Sequence, residues 1–193
     1  MKAAEYPAET ESSMNITVYL GSYEGNDPAL KEAVAKLGTW IGESGNVLVY
    51  GGSKAGLMGV LATSVVSAGG EAIGVEPYYF VEEELQYEEL TQLIVTQNMS
   101  ERKAKMIELG DAFIALPGGT GTLEEISEIM SGVSLGHVDA PCIIYNHNGY
   151  YDGLQQQLNK MIEKGLSTTE RQKKICFAES VDEIIRILKT AGR

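Results

Sequence analysis

Leu116-Pro-Gly-Gly-Thr-Gly-Thr-Leu-Glu-Glu125 is the stretch that decides the reading of this chain. An apolar run, Ala112-Phe-Ile-Ala-Leu116, leads into it, and Leu123, Ile126, Ile129, Met130 and Val133 lead out at helical spacing. A strand, a glycine-rich turn and a helix N-terminus therefore follow one another directly. Such a turn presents backbone N–H groups at the positive end of a helix, which suits a phosphate. Glu125 lies one turn further on. An anion cradle with an acid beside it points to chemistry on a phosphorylated small molecule.

Outward from this turn, strands and helices alternate. Asn15-Ile-Thr-Val-Tyr-Leu20 reads as a first strand ending at Gly21-Ser22. Asp27-Pro28 opens a helix, Asp as cap and Pro at the first helical position, with Leu30, Val34, Leu37 and Ile41 on one face and Gly45 as its stop. Val47-Leu-Val-Tyr50 is a strand running into Gly51-Gly-Ser-Lys-Ala-Gly56, and a helix is expected from Leu57 to Ala68. Glu71–Val75 and Leu93–Thr96 read as strands. Between them Glu76–Glu89 is acidic and aromatic without a clean period, a lid or a partner surface. Ser100 is expected to cap a helix over Glu101–Leu109. The strand before the central turn and a helix over Gly121–Leu135 follow, then a strand at Cys142–Tyr145, a helix at Tyr151–Lys164, a strand at Lys174–Phe177 and a closing helix at Val181–Lys189. The pattern predicts one doubly wound α/β domain over residues 14–193, its sheet mostly parallel, with residues 1–13 a disordered tail. The turns at Gly21, Gly51 and Pro117 fall at the carboxyl ends of their strands, where such sheets bind ligands.

Composition narrows the function. The 193 residues suffice for one substantial core, and a formal charge of −12 argues against a broad nucleic-acid or anionic-membrane surface. The N-terminal segment lacks the apolar stretch of a signal peptide, and no apolar run approaches the ~20 residues of a membrane span. Cys142 and Cys176 lie in apolar runs and read as buried thiols of a cytoplasmic protein. With His137 and His147 they form no metal-ligand pattern. Gly51 and Gly56 have the spacing of a triphosphate loop, but Leu57-Met58 stands where Lys-Ser/Thr is required. The central turn has only two glycines of the dinucleotide fingerprint, and Tyr145-Asn146 offers no ribose-binding acid, so hydride transfer is not expected. A mononucleotide fits better.

Each chemistry-bearing residue has a plain alternative. Glu125 either closes a capping box with Thr122 or faces a ligand. Gly121, Glu125, Glu128 and Gly132 form one helical stripe, and small residues beside acids leave room for a ligand. Arg102 and Lys103, in the first turn of their helix if Ser100 caps it, are disfavoured there by the helix dipole unless an anion lies nearby. Otherwise they are solvated cations. Lys54 contacts ligand or faces solvent, and Ser22 bonds a ligand hydroxyl or holds its own turn. His137 and His147 read as loop residues, and Tyr145, Tyr150 and Tyr151 as packing.

At Pro117-Gly-Gly-Thr-Gly-Thr-Leu-Glu-Glu125, preceded by Met99-Ser-Glu-Arg-Lys-Ala-Lys-Met106, the chain resembles the LONELY GUY (LOG) family of cytokinin riboside monophosphate phosphoribohydrolases. The pattern P-G-G-x-G-T-x-x-E is met in full. The likeness extends to Gly21-Ser22, to Tyr50–Gly59 and to Asn148–Asp152. Ser100 replaces a usual His, Ser53 a third glycine and Thr120 a common aromatic. These departures bear on which base is preferred. The resemblance implies a Rossmann-like, cytoplasmic homodimer that hydrolyses adenosine-type nucleoside 5′-monophosphates, prenylated or not, to free base and ribose 5-phosphate without a cofactor or metal. It maps the catalytic pair onto Arg102 and Glu125. It places substrate on Gly21, Ser22, Gly51, Gly52, Lys54, Met99, Lys103 and the turn Pro117, Gly118, Gly119, Thr120, Gly121 and Thr122. A position near a helix N-terminus beside Arg102 is expected to keep Glu125 ionised. The alternatives are a mononucleotide carrier of the same fold without turnover, and a hydrolase that cleaves the phosphoester.

Overall fold

Short β-branched runs and amphipathic helices assemble into a seven-stranded sheet in the order β4-β3-β2-β1-β5-β6-β7, every pairing parallel. The computed structural model describes residues 13–83 and 85–191. The expected tail falls outside these up to residue 12; Ser13 hydrogen-bonds through its hydroxyl to Gly45 O at 2.8 Å. The strands are β1 Asn15–Tyr19, β2 Val47–Tyr50, β3 Glu71–Pro77, β4 Gln92–Thr96, β5 Ala112–Ala115, β6 Cys142–Tyr145 and β7 Ile175–Ala178. The helices are α1 Pro28–Glu43, α2 Gly56–Ser67, α3 Tyr78–Glu82, α4 Met99–Leu109, α5 Thr120–Leu135, α6 Asp152–Glu163, α7 Thr169–Gln172 and α8 Val181–Ala191. Among the described residues no helix is long and apolar enough to cross a membrane.

Both faces of the sheet are covered, because successive strand residues alternate between two cores. On β5, Ala112 and Ile114 pack with α1, α2 and α8 on one side. Phe113 and Ala115 pack with α4, α5 and α6 on the other. The chain builds outward from β1 to β4, then returns across the sheet through α4 to lay β5 against the other side of β1. Here the winding reverses, and the loops after β1 and β5 part to leave a crevice. A buried polar contact fixes α4 over this point: the Thr17 hydroxyl on β1 donates to Met106 O at 3.0 Å.

Three sequence expectations change. Asn98 caps α4 in place of Ser100, its side chain accepting from Glu101 N at 2.9 Å. Glu101 reaches back to Gln97 N at 3.0 Å. Both Asn98 and Ser100 are cap-type residues, but only Asn98 has a glutamate three positions on to complete the reciprocal box. Arg102 thus sits beyond the first turn of α4, and the dipole argument for an anion there weakens. The segment after Val75 is also more ordered than its lack of period indicates. β3 continues through Glu76-Pro77 into the short α3. Gln86 then bridges antiparallel to Ser53, a contact outside the main sheet. The short α7, capped by Thr168, was not expected from periodicity, being too brief to show any.

Candidate active site

A cavity of about 650 Å³ opens at the winding reversal, walled by the loops after β1, β2 and β5, the start of α2, and the facing sides of α4 and α5. Its floor on one side is an uncapped helix. Gly119 precedes α5 and has no side chain to accept from the first-turn N–H groups. Proline and glycines up to this point let the chain turn tightly against β1. A Cβ at Gly118 would stand 2.3 Å from Thr122 Oγ1 and 2.9 Å from Gly21 N. Two tyrosines fasten the turn: Tyr150, itself on the cavity wall, donates to Gly118 O at 2.6 Å, and Tyr151 to Leu116 O at 2.9 Å.

Glu125 does not close a capping box. Thr122 lies inside α5, and the Glu125 carboxylate instead accepts from Arg102 Nη1 at 3.2 Å, with both side chains 10% exposed. Arg102 is further held by Nε donating to Val75 O at 2.9 Å. The ion pair thus joins α4, α5 and the end of β3. Burial pushes the Glu125 carboxyl above its ordinary range, and Arg102 pulls the other way without cancelling that rise. The expectation that its surroundings favour ionisation is reversed in direction, because burial outweighs Arg102 and Glu125 lies past the first turn of α5, where the dipole acts most. Tyr19, on the same wall, has its phenol held protonated by burial first and by Glu125 second.

Of the residues singled out by sequence, Gly21, Ser22, Gly51, Arg102, Pro117, Gly118, Gly119, Thr120, Gly121, Thr122 and Glu125 border this one cavity. Gly52, Lys54, Met99 and Lys103 do not. Lys103 is drawn off by Glu124 at 2.7 Å and Glu128 at 3.1 Å on α5. Lys54 faces Glu88 at 3.8 Å. Met99 lies beneath Arg102, its sulfur 3.9 Å from Nη1. Gly52 turns over Glu76. The small-and-acidic stripe on α5 borders the cavity only at Gly121 and Glu125. Glu128 serves Lys103, and Gly132 packs against Val138, which its Cβ would approach to 2.7 Å.

Sequence reasoning missed the opposite rim. His147 bridges Asp27, 2.9 Å from Nε2, and the Tyr145 hydroxyl, 3.0 Å from Nδ1. Asn148 donates to the same Asp27 oxygen at 3.2 Å. The His147 hydrogen bond, foremost, holds the Asp27 carboxyl below its ordinary range. Asp27 carried a cap signal, which it satisfies by accepting from Ala29 N at 3.0 Å, and nothing in the spacing linked it to residues 147–148. Among the described residues, no three His, Cys, Asp or Glu side chains are grouped as a metal would require.

The fold and the site together define an α/β protein whose cavity brings an uncapped helix N-terminus beside a buried Arg–Glu pair. A family model described as "Possible lysine decarboxylase" matches residues 58–188. A cytokinin riboside 5′-monophosphate phosphoribohydrolase of Rhodococcoides fascians is 34% identical over 98% of this chain and 100% of its own. One from Arabidopsis thaliana is 37% identical, over 94% of this chain and 85% of its own. Solved structures extend the likeness in fold alone. The molybdenum cofactor binding protein of Rippkaea orientalis superposes with a TM-score of 0.72 at 23% identity, over 93% of this chain and 97% of that one. The Moco carrier protein of Chlamydomonas reinhardtii gives 0.71 at 19% identity, over 93% and 98%. The chain belongs to the LOG family, that of the cytokinin riboside 5′-monophosphate phosphoribohydrolases.

The close approach at Gly118 yields a prediction. Gly118→Ala must displace either Thr122 or the loop after β1, and is expected to lower stability by about 1–3 kcal/mol. Urea unfolding checks this; an unchanged midpoint would show that the turn has slack.

Proposed function

We propose that this chain is a hydrolase of the N-glycosidic bond of adenosine-type nucleoside 5′-monophosphates, with or without a prenyl group on the base. The observation that carries the reading is the buried Arg102–Glu125 pair on the wall of a cavity whose adjoining surface is the uncapped start of α5. The phosphoribohydrolase activity for which relatives 33–37% identical over at least nine-tenths of the chain are named supports it.

The substrate phosphate is assigned to the N–H groups that follow Gly118, with the glycines allowing close approach. Anchoring the phosphate fixes the ribose, and this remote binding energy then serves the transition state. As the C1′–N bond breaks, its electron pair leaves with the base, which takes up a proton from solvent, and positive charge builds on the ribose. The Glu125 carboxylate stabilises that charge, accepts a proton from the water whose oxygen bonds to C1′, and then releases that proton to solvent. Arg102 holds Glu125 in place and offsets the cost of its burial. Free base and ribose 5-phosphate result. The homodimer that the family resemblance implies is part of the same proposal; light scattering of the purified chain is expected to give the mass of two copies, and a monomer would remove that element.

Incubation with AMP and with a prenylated AMP is expected to release free base and ribose 5-phosphate. Binding without release would leave a carrier, and inorganic phosphate as the product would mean phosphoester cleavage. Glu125→Gln keeps the shape of the side chain but not its charge, and is expected to lower kcat by more than about a hundredfold with binding retained. The reaction needs the carboxylate, and burial raises its pKa, so activity is lost on acidification at a pH above that of an ordinary glutamate. A profile of kcat/KM against pH that stays flat down to the ordinary range would return Glu125 to a structural role.

A further inference from the structure

Glu76 is a buried carboxyl that the mechanism above does not use. It is the penultimate residue of β3, whose other buried residues are apolar, and its side chain lies off the cavity, 1% of the residue being exposed. Its Oε2 has no hydrogen-bond partner among the described residues, and neither has the hydroxyl of Tyr50 or Oε1 of Gln86. An unpartnered buried carboxyl oxygen is costly and calls for a reason.

The neighbours give one. The backbone on either side of Glu76 is fixed: Val75 O accepts from Arg102 Nε at 2.9 Å, and Glu76 O accepts from the Thr96 hydroxyl at 3.3 Å. Over these residues runs the Gly51-Gly52 turn. A Cβ at Gly51 would stand 2.1 Å from Arg102 Nη2, and one at Gly52, where φ is +84°, would stand 2.7 Å from Glu76 Cγ and 3.0 Å from Cδ. One glycine covers the guanidinium and the next covers the carboxyl. Gly51 borders the cavity and Gly52 does not. Arg102 is therefore in contact with one carboxylate, Glu125, on the cavity wall, and is hydrogen-bonded through Val75 O to the residue next to a second, Glu76, which lies off the cavity.

We propose that Glu76 is a positioning residue for Arg102: when ionised it draws on the guanidinium's charge from behind, and when protonated it leaves that charge to Glu125 and to an anion in the cavity. The inference rests on the reading of Arg102 as part of the ligand site. Among the described residues, the charged and titratable groups that act on Glu76 are Arg102 from α4 and Tyr50 from β2, whose phenol is itself pushed up by burial, then by Glu76 and then by Tyr87. Lys54, on the same turn, is engaged with Glu88. Burial raises the Glu76 carboxyl to about 7, with Arg102 opposing, so the change of state falls near neutral pH. The sign follows. Below that value Glu76 is neutral and Arg102 is freest for an anion; above it the second carboxylate competes, and anion binding weakens.

The direct test needs no ligand. The Nε–H resonance of Arg102, followed by nitrogen NMR from pH 5 to 9, is expected to shift with a midpoint near neutrality in the wild type and in Glu125→Gln, and not in Glu76→Gln. A resonance that does not move near neutrality, or one that moves equally in Glu76→Gln, overturns the proposal. The functional arm measures AMP affinity calorimetrically between pH 6.5 and 8.5. Wild type is expected to weaken about three- to tenfold relative to Glu76→Gln over that range, a loss that substrate ionisation, common to both, cannot produce. Coincident affinity profiles with base release intact overturn the role of Glu76 alone. Absent base release with the resonance shift preserved overturns the hydrolase reading and leaves the coupling of Glu76 to Arg102 standing.

Discussion

A guanidinium and a carboxylate 3.2 Å apart, each almost wholly removed from solvent, tie together the parts of this molecule that matter. Arg102 comes from α4 and Glu125 from α5, helices separated in the chain by β5. A buried ion pair is weak grounds for stability, since desolvation of both groups offsets most of their attraction. Breaking it is another matter, because one charge would then be left alone in a dry site. The pair therefore constrains the two helices to keep their relative position, and Thr17 and the carbonyl of Val75 brace α4 from the sheet. What results is a preorganised charge array at the winding reversal, where the loops of an open sheet diverge and a ligand has room.

The electrostatics of the site run against those of the whole chain. With a formal charge of −12, the surface repels anions at long range. The lysines near the cavity do not reverse this, for Lys103 is matched by two glutamates and Lys54 faces a third. The groups at the cavity that are left to meet an anion are short-range and directed: the first-turn amides of α5 and the forked guanidinium of Arg102.

How much of this was legible in the chain depends on the length over which each signal operates. The alternation of apolar runs and amphipathic stretches gave the doubly wound architecture, since every strand and long helix carries its own period. The central turn was readable because glycines, a proline and a following helix leave few other conformations. Pairing across the sequence was not readable. Nothing in Asp27 announces His147, and nothing in Lys103 says that Glu124 and Glu128 will claim it before a ligand can. The α4 cap was misplaced because Asn98 and Ser100 both suit the position, and the decision fell to the glutamate that answers Asn98. Glu76 reads in the sequence only as the start of an acidic, aromatic segment; its burial against the Gly51-Gly52 turn is a tertiary fact.

The raised proton affinity of Glu125 bears on why the pair is buried at all. A carboxylate in water is a weak base, and one stabilised by a helix dipole would be weaker still. Burial makes the proton better held, and Arg102 pulls the other way without cancelling that rise. For the reaction proposed above, the dry setting strengthens Glu125 as an acceptor while the adjacent cation favours its ionised form. Both influences depend on the placing of α4 against α5, which is why a contact of two side chains governs the arrangement of the helices that carry them.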